Sequence, residues 1–126
     1  MSTKPDPSVI DQNVIDGLRR LFQDQSQAQV FLNDLIRTFR DSGATTLAAI
    51  NGTLTNNDLP SLAKHAHRLK GIGRNIGAVR LGQVCAELEI TANQAPLARV
   101  QELCAKADRE FHQSCSELSD FYYRDS

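Results

Sequence analysis

The sequence predicts an all-α protein, an antiparallel up-down-up-down four-helix bundle with one or two additional short helices. Apolar residues recur every three or four positions along most of the 126 residues, and no segment shows the alternation of a β-strand. The clusters of glycine, proline and asparagine that interrupt this pattern are short, and short connections favour antiparallel neighbours. We expect one domain over residues 1–126, with frayed ends at 1–8 and 124–126.

The first predicted helix is short and covers about 11–22, because its apolar positions share one face; they are Val14, Ile15, Leu18, Leu21 and Phe22. Ser26 and Gln29 have the spacing of a capping box, which predicts a second helix from Ser26 to about residue 41. The pair Ser42-Gly43 is expected to end this helix.

Four further helices follow in the predicted order. The third covers about 44–54, and Asp58 can cap the fourth after a polar turn. The fourth ends near 75–77, where glycine permits a left-handed turn. The fifth and sixth cover about 78–92 and about 97–120 and are separated by a proline-containing break.

Composition excludes several classes of function. Lys and Arg total 14 and Asp and Glu total 15, so no overall charge favours nucleic acid or an anionic membrane surface. No apolar run reaches the roughly 18 residues of a membrane span, and the first residues lack the apolar core of a secretion signal, so we expect a cytosolic protein. The odd number of cysteines, without a Cys-x-x-Cys pair, predicts buried free thiols rather than a disulfide framework or a zinc site; they are Cys85, Cys104 and Cys115.

The fourth helix carries the most informative pattern. Its apolar and small positions fall along one line and predict a buried stripe; they are Leu62, Ala66, Leu69, Gly73 and Ile76. His67 lies on the opposite side with Lys64, Gly71 and Arg74, and Lys70 lies at the boundary. Because Gly71 costs about 1 kcal/mol of helix stability relative to alanine, we expect the free space beside the imidazole to admit a partner.

The same segment resembles the histidine phosphotransfer (HPt) domains of multistep phosphorelays. Their pattern is Ala-His-x-Leu-Lys-Gly, a short stretch of small residues, Asn, an aliphatic residue and Gly-Ala, and here it reads Ala66-His67-Arg68-Leu69-Lys70-Gly71-Ile72-Gly73-Arg74-Asn75-Ile76-Gly77-Ala78. Ile72 departs from the small polar residue common at its position. Further matches lie on both sides of this run; they are Phe31, Leu35, Phe39, Asp58, Leu62, Leu81, Cys85, Leu88 and Glu89.

The resemblance implies a carrier that accepts a phosphoryl group on His67 from an aspartyl phosphate of a response-regulator receiver domain and passes it to another receiver. A hybrid sensor histidine kinase is then a partner as well. The resemblance implies no cofactor on this chain and places Mg²⁺ on the receiver domain. We expect a monomer that contacts neither nucleic acid nor a membrane directly.

The residues suit this chemistry. A neutral imidazole has a free ring nitrogen that can attack phosphorus, and the ammonium of Lys70 can stabilise the peripheral oxygens of the transferred group. We expect Lys64, Gly71 and Arg74 to form the docking surface. We expect no autonomous kinase activity, because no Gly-rich phosphate loop follows a strand.

Three alternatives remain at this point. His67 could be an ordinary surface histidine on a solvated helix face. The same face could dock an acidic partner, a receiver domain or a partner enzyme, without phosphate chemistry. A metal-binding helical bundle would need inward Glu-x-x-His pairs, which the sequence lacks.

Overall fold

The computed structural model describes residues 8–122, and within them the chain forms five helices and no strand. These are α1 (Gln12–Arg19), α2 (Gln25–Thr55), α3 (Leu59–Arg74), α4 (Val79–Thr91) and α5 (Leu97–Ser119). Helix α2 packs against α3 and α5, and α4 packs against the same two helices, so α2 to α5 enclose one core. Helix α1 lies against α2. The prediction of a four-helix bundle with an additional short helix is confirmed.

The predicted break at Ser42-Gly43 is wrong, because α2 continues through it as one helix of 31 residues. Gly43 is buried, and a Cβ built on it would overlap the ring of Phe111 from α5. This ring also packs against Phe39, with 5.3 Å between ring centroids. The glycine therefore permits the close approach of two helices and does not end one.

The start of α2 also differs from the capping-box prediction. Asp24 is the N-cap residue, and its carboxylate accepts a hydrogen bond from the backbone N–H of Ser26 at 2.8 Å. A second bond, from the Ser26 hydroxyl, occupies the same carboxylate oxygen. An aspartate cap satisfies an amide that the helix leaves unpaired, so α2 begins at Gln25.

Helix α1 is shorter than the predicted 11–22 and ends at Arg19. Ile15 is fully buried, but Leu21, which was expected on the inward face, is 68% exposed beyond the helix end. Phe22 packs instead against Phe31 of α2, with ring centroids 5.0 Å apart. Frayed ends were predicted at 1–8 and 124–126. Except for residue 8, these lie outside the described residues.

The turn between α3 and α4 fixes the relative position of these helices. Gly77 has a φ of 81°, as its predicted left-handed role requires. The N–H of Ala78 donates to the carbonyl of Gly73 at 2.8 Å, and the N–H of Gly77 donates to that of Arg74 at 3.2 Å. This pair of bonds is a Schellman motif, which reverses the chain and lays α4 beside α3.

The three cysteines are free thiols in or near the core. Burial raises the pKa of Cys85 to about 12 and that of Cys104 to about 11, so both thiols are protonated at neutral pH. Cys115 is half-buried. Of the helices in the described part of the chain, none is both long and apolar enough to cross a membrane.

Candidate functional site

His67 projects from the solvent side of α3. The predicted stripe is buried at every position, which orients the whole helix; its members are Leu62, Ala66, Leu69 and Gly73 within α3, and Ile76 in the turn that follows. The His67 side chain is 66% exposed. One turn further on, a Cβ built on Gly71 would meet no atom within 4 Å. The imidazole is therefore open to a partner, as the sequence predicts.

A carboxylate from the neighbouring helix holds the ring. Glu89, on α4, places Oε2 2.7 Å from Nδ1 of His67. Its other oxygen, Oε1, accepts a hydrogen bond from Nζ of Lys70 at 2.6 Å. One carboxylate thus bridges His67 and Lys70, the two residues that the sequence analysis predicts to accept and to stabilise the phosphoryl group.

This bridge fixes the protonation pattern of the neutral ring. The hydrogen bonds from Lys70 and then His67 outweigh partial burial and lower the pKa of Glu89, so this group is ionised at neutral pH. An ionised carboxylate only accepts hydrogen bonds, so Nδ1 must carry the proton that it donates. The lone pair of the neutral ring is then on Nε2, which has no hydrogen-bond partner among residues 8–122.

Lys70 lies where the sequence places it, at the edge of the buried stripe. Its side chain is only 19% exposed, so its aliphatic stem is covered while its ammonium reaches Glu89. The ammonium lies one helical turn from His67 and contacts the same carboxylate. It is therefore joined to the ring through Glu89 and forms no hydrogen bond with the ring itself.

The exposed cations of α3 have different surroundings. Lys64 lies in the second turn, and its charge contributes to the lowered pKa of Asp58, which follows chiefly from the hydrogen bonds of Ser61. The side chain of Arg74 lies across α4, where a Cβ on Gly82 would meet its Cγ at 3.4 Å. Within the described residues, neither Lys64 nor Arg74 forms an ion pair.

The two other histidines lack this arrangement. His65 is half-buried and lines a cleft between α2 and α3. His112, on α5, is as exposed as His67, but its Nδ1 donates to the backbone carbonyl of Asp108 at 2.8 Å. No group of three or more His, Cys, Asp or Glu side chains in residues 8–122 could hold a metal ion.

Glu89 is the residue whose role the sequence analysis missed. The sequence places it among the matches to the HPt pattern, but it lies 22 residues after His67 and on another helix. Helical periodicity relates residues within one helix only. The signal that could have found it is the predicted antiparallel pairing of α3 and α4, which brings the end of α4 beside the middle of α3.

Comparisons with known proteins agree with this geometry. A family model described as Hpt domain matches residues 34–121, a range that includes α3, α4, α5 and most of α2. The structure is similar to the crystal structure of histidine-containing phosphotransfer protein B (HptB) from Pseudomonas aeruginosa PAO1, with a TM-score of 0.79. The two sequences are 28% identical, over 92% of this chain and 97% of that one. No curated protein matches significantly.

Proposed function

The chain belongs to the Hpt domain family and is a histidine phosphotransfer carrier of phosphorelays; we propose that His67 is the residue that carries the phosphoryl group. The observation that supports this assignment is the ring of His67, which is open to solvent and held at Nδ1 by Glu89. Within residues 8–122, neither His65 nor His112 has such a carboxylate bridge to a lysine.

The proposed reaction uses Nε2 as the nucleophile. Its lone pair attacks the phosphorus of an aspartyl phosphate on a receiver domain, an N–P bond forms, and the P–O bond to the aspartate breaks. The aspartate leaves as a carboxylate. Donation to the next receiver is the same step in reverse. The receiver supplies the Mg²⁺, and this chain supplies the nucleophile and has no kinase activity of its own.

Two further roles belong to the proposal. Lys70 stabilises the charge on the peripheral oxygens of the transferred group, because its ammonium lies one turn from His67. Gly71 leaves the space that a receiver domain needs to approach the ring, and Lys64 and Arg74 contact the receiver at the edge of this space. The partners are a response-regulator receiver domain and a hybrid sensor histidine kinase, and the carrier acts as a monomer.

The test is phosphotransfer from a radiolabelled phosphorylated receiver domain to His67→Gln protein. We expect labelling to be lost, while His65→Gln and His112→Gln proteins are labelled at the parent rate. Because His67 is exposed, its replacement should leave the helical circular dichroism and the melting temperature unchanged. Undiminished labelling of the His67→Gln protein would overturn the assignment.

A further inference from the structure

We propose that Asp41 and Arg68 determine which receiver domains this carrier serves, because together they favour a partner surface with a cation opposite Asp41 and an anion opposite Arg68. The inference rests on the proposed function of His67. Asp41 belongs to α2 and Arg68 to α3, and the two residues line one cleft of about 300 Å³ between these helices. Both residues are exposed, so a partner can reach their charges.

The two charges are not compensated within the described chain. Neither side chain forms an ion pair or a hydrogen bond among residues 8–122. Of the described residues that line the cleft, Asp41 is the only acid and Arg68 the only lysine or arginine. The α2 wall therefore presents a negative charge and the α3 wall a positive charge, and both are available to a partner.

The other polar groups of the cleft are less able to select a partner. The hydroxyls of Thr45 and Thr46 each donate to the backbone carbonyl one turn earlier in α2, at 3.1 and 2.8 Å, so these donors are already used. The imidazole of His65, which also lines the cleft, is half-buried. Electrostatic selection at this cleft therefore depends on Asp41 and Arg68.

The cleft borders the surface that a partner of His67 must cover. Successive residues of a helix point about 100° apart, so Arg68 points toward α2 while His67 points toward Glu89 on α4. The open position at Gly71 lies between these two directions, one turn further along α3. A typical interface covers about 800 Å² of each partner, which is a disc of roughly 16 Å radius. A receiver domain that reaches Nε2 of His67 therefore also contacts the cleft.

Charges in this position act on the choice of partner more than on the reaction. Opposite charges across an interface speed association and fix the orientation of the partner, whereas like charges that face each other oppose binding. Because Asp41 and Arg68 have opposite signs, a receiver must match both in the correct order. Exchange of the two signs reverses this order but leaves the net charge of the carrier unchanged. The exchange therefore separates selection from general electrostatic attraction.

The test compares the parent with the double variant Asp41→Lys/Arg68→Glu. Single-turnover transfer from two phosphorylated receiver domains, one that the parent prefers and one that it disfavours, is measured at limiting and at saturating concentrations. At limiting concentration we expect the preference for the first receiver to fall at least about tenfold, since like charges then face each other in the preferred complex. The saturated rate should not change, because neither residue forms a hydrogen bond with the ring of His67.

Two single variants guard against a folding defect in the double variant. Asp41→Asn and Arg68→Gln each remove one charge without adding another, and each should lower the preference about two- to fivefold, as expected for one exposed charge. Helical circular dichroism and the melting temperature verify that each variant is folded.

The matched control is Asp120→Lys/Arg109→Glu, which also exchanges two exposed charges of opposite sign. Arg109 lies in α5 and Asp120 is its C-cap residue, and neither forms an ion pair among residues 8–122. Helix α5 does not pack against α3. This exchange should leave the preference unchanged.

A parent-like preference in the Asp41→Lys/Arg68→Glu protein would overturn the proposal, and so would an equal loss of rate with both receivers. Labelling of the parent by phosphoramidate tests the proposed function separately. If the phosphoryl group is not on His67, the proposed function fails, whereas labelled His67 with a parent-like preference in the variant removes only the role of Asp41 and Arg68.

Discussion

Two glycines inside helices of this bundle have opposite surroundings. Gly43 of α2 is buried, and a side chain there would overlap Phe111, whereas Gly71 of α3 is exposed, and a Cβ there would meet nothing within 4 Å. Both cost helix stability relative to alanine. The packing of α2 against α5 explains the first glycine. No contact among residues 8–122 explains the second, which supports the proposal that a receiver domain approaches His67 at this position.

The largest effect on stability is expected from Gly43→Ala. The added methyl group would force the ring of Phe111 to move, and this ring is buried against Phe39. Overpacking of this kind costs about 2 kcal/mol of unfolding free energy. Urea denaturation followed by circular dichroism measures the difference.

Gly52→Ala is the control for this prediction, because Gly52 lies in the same helix, is exposed and has open space around its Cα. Alanine there should stabilise the protein by up to about 1 kcal/mol. If Gly43→Ala had the same stabilising effect as Gly52→Ala, the packing explanation of Gly43 would be wrong.

Gly71→Gln should leave stability unchanged or higher and slow phosphotransfer. Glutamine is a better helix former than glycine, and a side chain at this position leans back along the helix toward His67. We expect transfer from a receiver domain to slow at least about tenfold, equivalent to about 1.4 kcal/mol in the activation barrier. Single-turnover kinetics and thermal melting measure the two properties separately.

A small donor distinguishes obstruction of docking from damage to the nucleophile. Phosphoramidate needs less room than a receiver domain, so it should phosphorylate the Gly71→Gln and parent proteins at similar rates. Transfer from the receiver at the parent rate would contradict the role of Gly71 in docking. Equal slowing with both donors would place the defect in the chemistry of His67 instead.

The two glycines also indicate what can be predicted from sequence here. Gly71 lies on a helix whose buried stripe is complete, so its exposure follows from periodicity within that helix. The surroundings of Gly43 depend on Phe111, which is far away in the chain and on another helix, and local turn chemistry therefore predicted a break that does not exist. Glu89 was missed for the same reason, because its contact with His67 joins two helices.

The N-terminal caps show that the exact start of a helix is also hard to predict from sequence. Asp58 was predicted as a cap, and its carboxylate accepts from the N–H of Ser61 as expected. At α2, by contrast, Asp24 and Ser26 are both good cap residues within one turn, and the spacing of Ser26 and Gln29 favoured the wrong one. Sequence therefore gives the existence of a helix more reliably than its first residue.

The smallest effects are expected from the exposed cations around the open face. Lys64→Ala and Arg74→Gln should each slow association with a receiver domain about two- to threefold at low salt, since an exposed charge contributes about 0.5 kcal/mol, and should make association less sensitive to salt. The saturated transfer rate should not change. Glutamine is used at position 74 because the stem of Arg74 packs over Gly82, and loss of that contact would add an unrelated effect.

Two comparisons decide this prediction. Lys70→Ala should lower the saturated rate itself, because its ammonium reaches Glu89 beside the reactive ring. Arg109→Ala should change neither property, because Arg109 is exposed on α5, which does not pack against α3. Stopped-flow association at several salt concentrations, with saturating single-turnover transfer, separates encounter from chemistry. If replacement of Lys64, Lys70 and Arg74 lowered the saturated rate equally, these three cations would act as one unit, and the open face around Gly71 would belong to the chemistry as much as to docking.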